Sequence, residues 1–476
     1  MIEGLKPYPA YKESGVPWLG QVPEHWSTSR LRNVAELLVS NVDKKTEDGE
    51  QLVRLCNYVD AYKRAIITAE LPFMQATATH AEVKRFRLHV NDVLITKDSE
   101  DWKDIGVPAY VAETADDLIC GYHLAILRPR AAMLGRFLYW QLLSEASKVQ
   151  FSVRANGITR YGLSHGAIKE ICFAVPSTDE QASIARFVGH AERKIGRYIA
   201  AKRKLIKLLE EEKQAIVHRA VTRGLDQDVR LKRSGIDWLG DIPEHWEVKP
   251  AKVYLREIDE RSTTGDEELL SVSHKTGVTP RSQKNITMFM AESYRGHKMC
   301  KRDDVVVNTM WGWMAAIGVA GQVGIVSPSY GVYRPARTEQ FRSRFLDLLL
   351  RIEMYRDEYV RCSRGITTSR LRLYPDQFLK IALLRPPLTE QDSILRKIED
   401  DTASLSATIS AASREIDLFN EFRTCMISNV VTGKLDVREA AAALPVEIDQ
   451  ELEPEPEEEL LEEDTESELE PEQEAA

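Results

Sequence analysis

The sequence predicts an α+β protein: two mixed α/β domains in tandem, each running into a long helix. Three observations carry that prediction. The chain repeats itself, the hydrophobic pattern changes period once in each half, and a capping signal after each domain opens an apolar seam of helical spacing.

Residues 14–26 read SGVPWLGQVPEHW and residues 234–246 read SGIDWLGDIPEHW, identical at nine of thirteen positions. Further matches follow in the same order. Asp92-Val-Leu-Ile pairs with Asp304-Val-Val-Val, Gly157-Ile-Thr with Gly365-Ile-Thr, and Glu180-Gln181 with Glu390-Gln391. Val221-Thr-Arg-Gly-Leu-Asp then pairs with Val431-Thr-Gly-Lys-Leu-Asp. A period of about 210 residues is too long for a solenoid and means duplication of a whole domain with its connector.

Residues 27–175 and 247–385 carry short β-branched runs bounded by turn residues, such as DVLIT, GVPAYV and DVVVN, which read as strands. Leu134–Ser144 and Arg344–Tyr359 read as helices within them. After Val175-Pro176 the segment Ser177-Thr-Asp-Glu180 has the form of a capping box, and after Pro386-Pro387 the second helix opens on Thr389-Glu-Gln-Asp392. In the first helix Ile184, Val188, Ala191, Ile195, Tyr198, Leu205, Leu209 and Ile216 form a seam interrupted by Lys202 and Glu212. Ile394, Ile398, Leu405, Ile409, Ala412, Ile416, Phe419 and Met426 form the second. Each ends near a glycine, Gly224 or Gly433. About 45 residues at ~1.5 Å each gives helices on the order of 65 Å, which need a partner seam, most simply each other.

The net charge of -10 argues at first against a nucleic-acid partner. It is unevenly placed. Glu447–Ala476 holds 16 acidic residues and no Lys or Arg, so residues 1–446 carry 64 basic against 58 acidic side chains. Basic excess concentrates in 247–385 (23 against 16) and 177–224 (11 against 6). The tail reads as a solvating, disordered segment. Six scattered cysteines, none at C-x-x-C spacing, indicate neither a zinc knuckle nor a disulfide framework. Without a signal-peptide pattern or a long apolar run, the sequence reads as soluble, reduced and cytoplasmic, with no membrane partner.

Catalytic signatures are absent: no phosphate cradle, no Asn-Pro-Pro-aromatic tetrapeptide, no zincin, hydrolase or kinase motif. Gly318, Gly321 and Gly324 read as a strand-turn segment. His25 and His245 recur without a nucleophile or carboxylate pair and read as structural turns anchored by Trp26 and Trp246. Asp92 and Asp304 invite a metal reading, but each precedes an apolar strand, where a turn or cap role is the simpler one. The expectation is a non-catalytic binding protein with no cofactor and no metal of its own. Loops in both domains concentrate hydrogen-bonding side chains suited to DNA: Lys84, Arg85 and Arg87; Arg154, Asn156, Thr159, Arg160 and Tyr161; Lys275, Arg281, Gln283 and Lys284; and Arg364, Thr367, Thr368 and Arg370. Taken singly, any of these is equally a solvated surface residue.

These elements resemble the specificity (S) subunits of type I restriction-modification systems. The resemblance rests on the S-G-x-x-W-L-G-x-x-P-x-H-W opening, the P-x-x-x-E-Q-x-x-I helix starts at Pro176 and Pro386, the D-V-L-I-T and G-I-T segments, and the T-R-G-L-D and T-G-K-L-D helix ends. It covers residues 11 to about 438. It departs from the family pattern at Asn91 and Asp303, which stand where glycine is common and which tolerate a left-handed turn, and at Ser177-Thr178, where the second half has Pro387-Leu388.

The resemblance implies an N-terminal repeat segment (1–26), a first target-recognition domain (27–176), a central region (177–246), a second target-recognition domain (247–386), a C-terminal helical region (387–438) and the acidic tail (439–476). It further implies that the two helices pack as an antiparallel coiled coil. Each recognition domain would read one half of a bipartite, asymmetric double-stranded DNA target, and the helices would set the spacer. Two methyltransferase (modification) subunits, carrying S-adenosylmethionine, would methylate adenine N6, and nuclease-translocase (restriction) subunits would complete the complex. Glu180, Gln181, Ile184, Val188, Ile195, Leu205 and Leu209, with Glu390, Gln391, Ile394, Ile398, Leu405, Ile409 and Phe419, are the expected residues of the helix pair and partner contact. A stand-alone two-headed DNA-binding protein and a coiled-coil scaffold are the competing readings.

Overall fold

The computed structural model describes residues 5–226, 228–283, 293–337, 339–367 and 370–445. They form two compact units. Unit 1 comprises residues 5–203 and 413–445, and unit 2 comprises 204–412. The expectations at Lys284, Thr368 and residues 446–476 of the acidic tail fall outside the described residues, whereas the first part of the expected tail is ordered: Arg438–Ala443 is a helix with Ala441 buried in unit 1.

In unit 1 the repeat segment forms an antiparallel hairpin, Tyr11–Glu13 with Gln21–Pro23, and Trp26 behind it is buried. In unit 2 Leu231–Arg233 and Asp241–Pro243 pair in the same register, with Trp246 buried behind them. Truncating either indole would leave a cavity costing about 3–5 kcal/mol. Each recognition domain closes on itself: Ser27–Arg30 pairs with Cys172–Val175, and Glu247–Pro250 pairs with Ala382–Arg385.

Between those strands unit 1 holds a five-stranded sheet, in the order Ala35–Val39, Leu124–Pro129, Val93–Thr96, Pro108–Val111 and Ile66–Ile67. All neighbours are antiparallel except the last pair. Val93–Thr96 is buried on both faces, as its unbroken apolar run requires. Unit 2 holds the antiparallel order Leu255–Ile258, Gly331–Pro335, Val305–Val307 and Ile317–Val319. The chain enters the equivalent strands through Asn91 and Asp303, both left-handed at φ 74. Gly318 and Gly324 lie in strands with Gly321 in the turn between them.

The helix expected at Leu134–Ser144 is present and a second one follows it directly, whereas the single helix expected at Arg344–Tyr359 is two. Gly135–Leu143 and Glu145–Ser152 meet at Ser144, and Ser343–Arg351 and Glu353–Cys362 meet at Ile352. Ser144 breaks the first by capping the second, accepting from the Ser147 amide.

The long helices run Thr178–Arg223 and Leu388–Val431. Within unit 1 they pair antiparallel: Tyr198 stacks on Phe419 at 5.8 Å, Lys202 reaches Glu415 at 2.8 Å, and Glu192 meets Arg423 at 2.6 Å. Within unit 2 Lys213 donates to Ser406 at 2.9 Å, and Gly224 lies beside Glu390 at the start of the second helix. Lys202, which interrupts the apolar seam, is therefore held by an ion pair across it. Ile184, Val188, Ala191, Ile195 and Ile199 are buried, whereas Tyr198 is exposed on its outer face. The helices terminate at Gly224 and Gly433, at φ 75 and 79.

Candidate nucleic-acid interface

In unit 1 Asn156–Gly157 pairs with Tyr161–Gly162, and the latter pairs with Asp98–Ser99. This small sheet packs the Gly-Ile-Thr hairpin against the loop that leaves the central strand, and the Leu163 amide donates to the Lys97 carbonyl at 2.8 Å. The turn needs its glycine: Gly157 sits at φ 155, and a Cβ there would lie 1.9 Å from the Arg160 carbonyl oxygen. Asn156, Thr159 and Arg160 are exposed. Arg154 is half-buried and donates to the Gln150 carbonyl at 3.0 Å, and Tyr161 is half-buried in the hairpin.

Unit 2 repeats the arrangement. Arg364 and Arg372 bridge antiparallel, Leu373 donates to the Thr309 carbonyl at 3.0 Å, and a Cβ on Gly365 would lie 2.4 Å from the Arg370 carbonyl oxygen. Arg364, Thr367 and Arg370 are exposed. The sequence-predicted residues at 154–161 and 364–370 thus share one structural element, once in each unit.

The other predicted residues sit elsewhere. Lys84 and Arg85 are exposed on the His80–Phe86 helix, where the Arg85 guanidinium lies over the Phe86 ring, and Arg87 pairs with Asp116 at 3.0 Å. Lys275 occupies the turn between Leu270–Ser273 and Gly277–Pro280, with its carbonyl held by Arg351. Arg281 and Gln283 form a single 3-10 turn after that hairpin.

The loops beside the two hairpins differ sharply, and neither was singled out by sequence reasoning. In unit 1 Asp98 lies 2.6 Å from His123 and 3.1 Å from Lys97, while Lys97 also lies over the Tyr122 ring. His123 is left-handed at φ 69, a strained conformation for a non-glycine residue. Nearby Tyr62 donates to Asp104 at 2.5 Å and stacks on Tyr58. In unit 2 the corresponding loop presents Trp311 stacked on Trp313 and ends on Ala315, left-handed at φ 63. The signal that could have marked these loops was an abrupt loss of similarity between otherwise matched halves: KDSEDWKDIG against NTMWGWMAAIG.

Behind each interface the Asp of the D-V-L segment holds the turn, and its carboxylate is fully occupied. Asp92 accepts from the His89 amide and makes a two-point pair with Arg128 at 2.8–2.9 Å. Asp304 accepts from Lys301 and pairs in the same way with Arg334, which also meets Glu260 at 2.7 Å. Both pairs raise the guanidinium pKa through hydrogen bonds to the aspartate. No group of three or more His, Cys, Asp or Glu side chains placed to hold a metal ion occurs among the described residues.

Glu180, Gln181 and Gln391, expected at the helix pair or a partner contact, are buried inside their own units. Gln181 donates to the carbonyls of Ala132 and Pro176 and accepts from the Leu134 amide; Gln391 does the same with Gln340, Pro386 and the Arg342 amide. Glu180 accepts from Tyr8 at 2.7 Å and lies 3.0 Å from His25, and Glu390 lies 2.7 Å from His245 and accepts from Trp246. The capping box is half-made for this reason: the Glu180 amide bonds Ser177, but its carboxylate is taken by Tyr8 and His25. Of the other seam residues, Ile394 and Ile398 are buried, while Leu209, Leu405, Ile409 and Phe419 are half-buried and Leu205 is exposed.

No family model matches the sequence, and no curated protein matches it. Solved structures do match. One, from work on complex assembly and conformational transition of the type I R-M system, aligns at TM-score 0.55 and 15% identity over 87% of this chain and 99% of that one. The chain shares its fold with this component of a type I R-M system. The HsdS subunit from Thermoanaerobacter tengcongensis aligns at TM-score 0.40 and 16% identity, covering 91% of this chain and 100% of that one. The type I restriction-modification S subunit from M. genitalium aligns at TM-score 0.32 and 13% identity, over 85% and 96% of the two chains. The type I R-M fold is the one that the sequence resemblance implies. Among the described residues, no helix is long and apolar enough to cross a membrane.

Proposed function

We propose that this chain is the DNA-recognition subunit of a type I restriction-modification complex. One observation carries the reading: each unit presents the same exposed, arginine-bearing hairpin beside a loop whose chemistry differs between units. Two heads built on one frame with different contents are what a bipartite, asymmetric target requires. The recognition domains, residues 27–176 and 247–386, each take one half-site of double-stranded DNA. The arginines hold phosphates and base edges, and the divergent loops discriminate.

Chemistry belongs to the partners. Two methyltransferase subunits bring S-adenosylmethionine and methylate adenine N6, and nuclease-translocase subunits complete the restriction complex in the cytoplasm. The helix pairs supply docking surface: Leu205 and Leu208 in unit 2, and Leu418 in unit 1, are exposed apolar side chains on the long helices.

Mapping N6-methyladenine in host DNA with and without the gene tests the reading. A bipartite methylated sequence that disappears with the gene is the expected result. Replacing 27–176 should then change one half-site and leave the other intact. If both half-sites changed, two independent heads would be ruled out.

A further inference from the structure

At the tip of each Gly-Ile-Thr hairpin the protein holds an isoleucine out in solvent. Ile158 is 91% exposed and Ile366 is 97% exposed, while no other large apolar side chain among the described residues exceeds 62%. Solitary exposed hydrophobic residues are ordinary on protein surfaces. Two at the same turn of two diverged domains, each presented more fully than any other, are not.

The arms that carry them approach closely. Gly157 and Gly365 press the two arms of each hairpin so close that a Cβ would meet the opposite backbone at 1.9 and 2.4 Å. Isoleucine is itself stiff at χ1. Arg160 lies two residues from the first tip and Arg364 two from the second, and both are exposed. A blunt apolar point flanked by guanidinium groups suits a ligand with charge along its edges and flat apolar faces within, which describes a stacked duplex.

What both units share cannot distinguish two different half-sites. The shared isoleucine must therefore meet a property of the duplex common to both, such as its stacking. We propose that Ile158 and Ile366 are wedges, each inserted between adjacent base pairs of its own half-site to open the step beside the base to be modified. Apolar side chains inserted in this way unstack and kink DNA, and enzymes that act on a base require it extruded from the helix. The inference rests on the DNA-recognition reading above and adds the element that prepares the substrate.

The test uses the full chain assembled with its methyltransferase subunits and duplexes carrying 2-aminopurine in place of the target adenine of one or the other half-site. Wild-type complex should raise the fluorescence of both probes. Ile158→Ala should abolish the rise in one half-site only and slow methylation of an unlabelled duplex there by about 10- to 100-fold. Ile366→Ala should do the same in the other, and Ile158→Met should restore most of the first signal. Because both side chains lie in solvent, the variants should fold and assemble as wild type does. Unchanged fluorescence and unchanged methylation in Ile158→Ala would overturn the wedge while leaving DNA recognition standing. Loss of a methyltransferase subunit from that variant would overturn it too, by making the isoleucine a protein contact. Wild-type complex that methylates no bipartite site would overturn the recognition reading and the wedge together.

Discussion

Glu180 and Glu390 occupy the same place on their helices, and each faces the histidine of a Pro-Glu-His-Trp turn, but the second donor differs. In unit 2 it is the Trp246 indole; in unit 1 it is the Tyr8 hydroxyl, brought in by residues ahead of the repeat. The Trp26 indole nitrogen, counterpart of Trp246, is buried without a hydrogen-bond partner among the described residues. Duplication conserved the acceptor and the fold of the turn while the donors drifted. The same division runs through both units: frame residues match, and the residues that fill the frame do not.

The largest test of that division is the pair of aspartates behind the strands. Asp92→Ala leaves the half-buried Arg128 without its carboxylate and the His89 amide without its acceptor, at a cost of about 3 kcal/mol. Asp304→Ala should cost roughly half as much, because Arg334 keeps Glu260. Urea unfolding followed by peptide-resolved hydrogen exchange would localise each loss to its own unit. Equal losses would mean that Glu260 contributes nothing.

Next come the glutamine clamps. Gln181→Ala and Gln391→Ala each strand buried backbone groups and should destabilise their units by about 2–3 kcal/mol. These should be nearly equal, since the hydrogen bonds correspond one for one. Thermal melts of the two variants would reveal any asymmetry.

Acid should separate the units. Lys249 and then Arg385 hold the Glu247 pKa down to about 2, whereas the register counterpart in unit 1 is Ser27, which does not titrate. A carboxylate with a depressed folded pKa stabilises fully above its unfolded value of about 4.3 and loses that contribution as pH falls towards 2. Unit 2 should therefore weaken by about 1 kcal/mol over that window, and Glu247→Gln should flatten the dependence. An unchanged pH slope in the variant would remove Glu247 as the cause.

The smallest effect expected is on DNA affinity. Arg160→Ala and Arg364→Ala should each weaken binding modestly and lower the salt slope by about one. Fluorescence anisotropy at several salt concentrations would distinguish this from a loss of sequence discrimination, which the divergent loops should control instead.

Much of the frame could be read from the sequence because repetition marks it. The Trp26 and Trp246 anchors, the left-handed Asn91 and Asp303, the two long helices and their terminal glycines all recur in register. The Glu-Gln pair was found but misplaced. A residue at the start of an amphipathic helix looks available to a partner until the fold shows Gln181 closing on Ala132 and Leu134. Lys97, Asp98 and His123, and opposite them Trp311 and Trp313, were missed for the converse reason. They do not repeat, and His123 reaches Asp98 across 25 residues through tertiary structure alone.

The two ends of unit 1 are far apart in the chain and joined in space: Lys6 bridges Asp436, Tyr11 donates to the Lys434 carbonyl, and Gly433 packs on Pro23 and Trp26. Among the described residues unit 2 spans 204–412 without excursion to another part of the chain, so it can fold as soon as that stretch is made. Unit 1 cannot close until the segment around Asp436 has been made, because its last helix turns and the bridge to Lys6 follow all the described residues of unit 2 in the chain. A chain that stopped at the end of unit 2 would leave unit 1 without the helix turns and the segment that close on Lys6, Pro23 and Trp26. The order of synthesis thus acts as a completeness check on the protein.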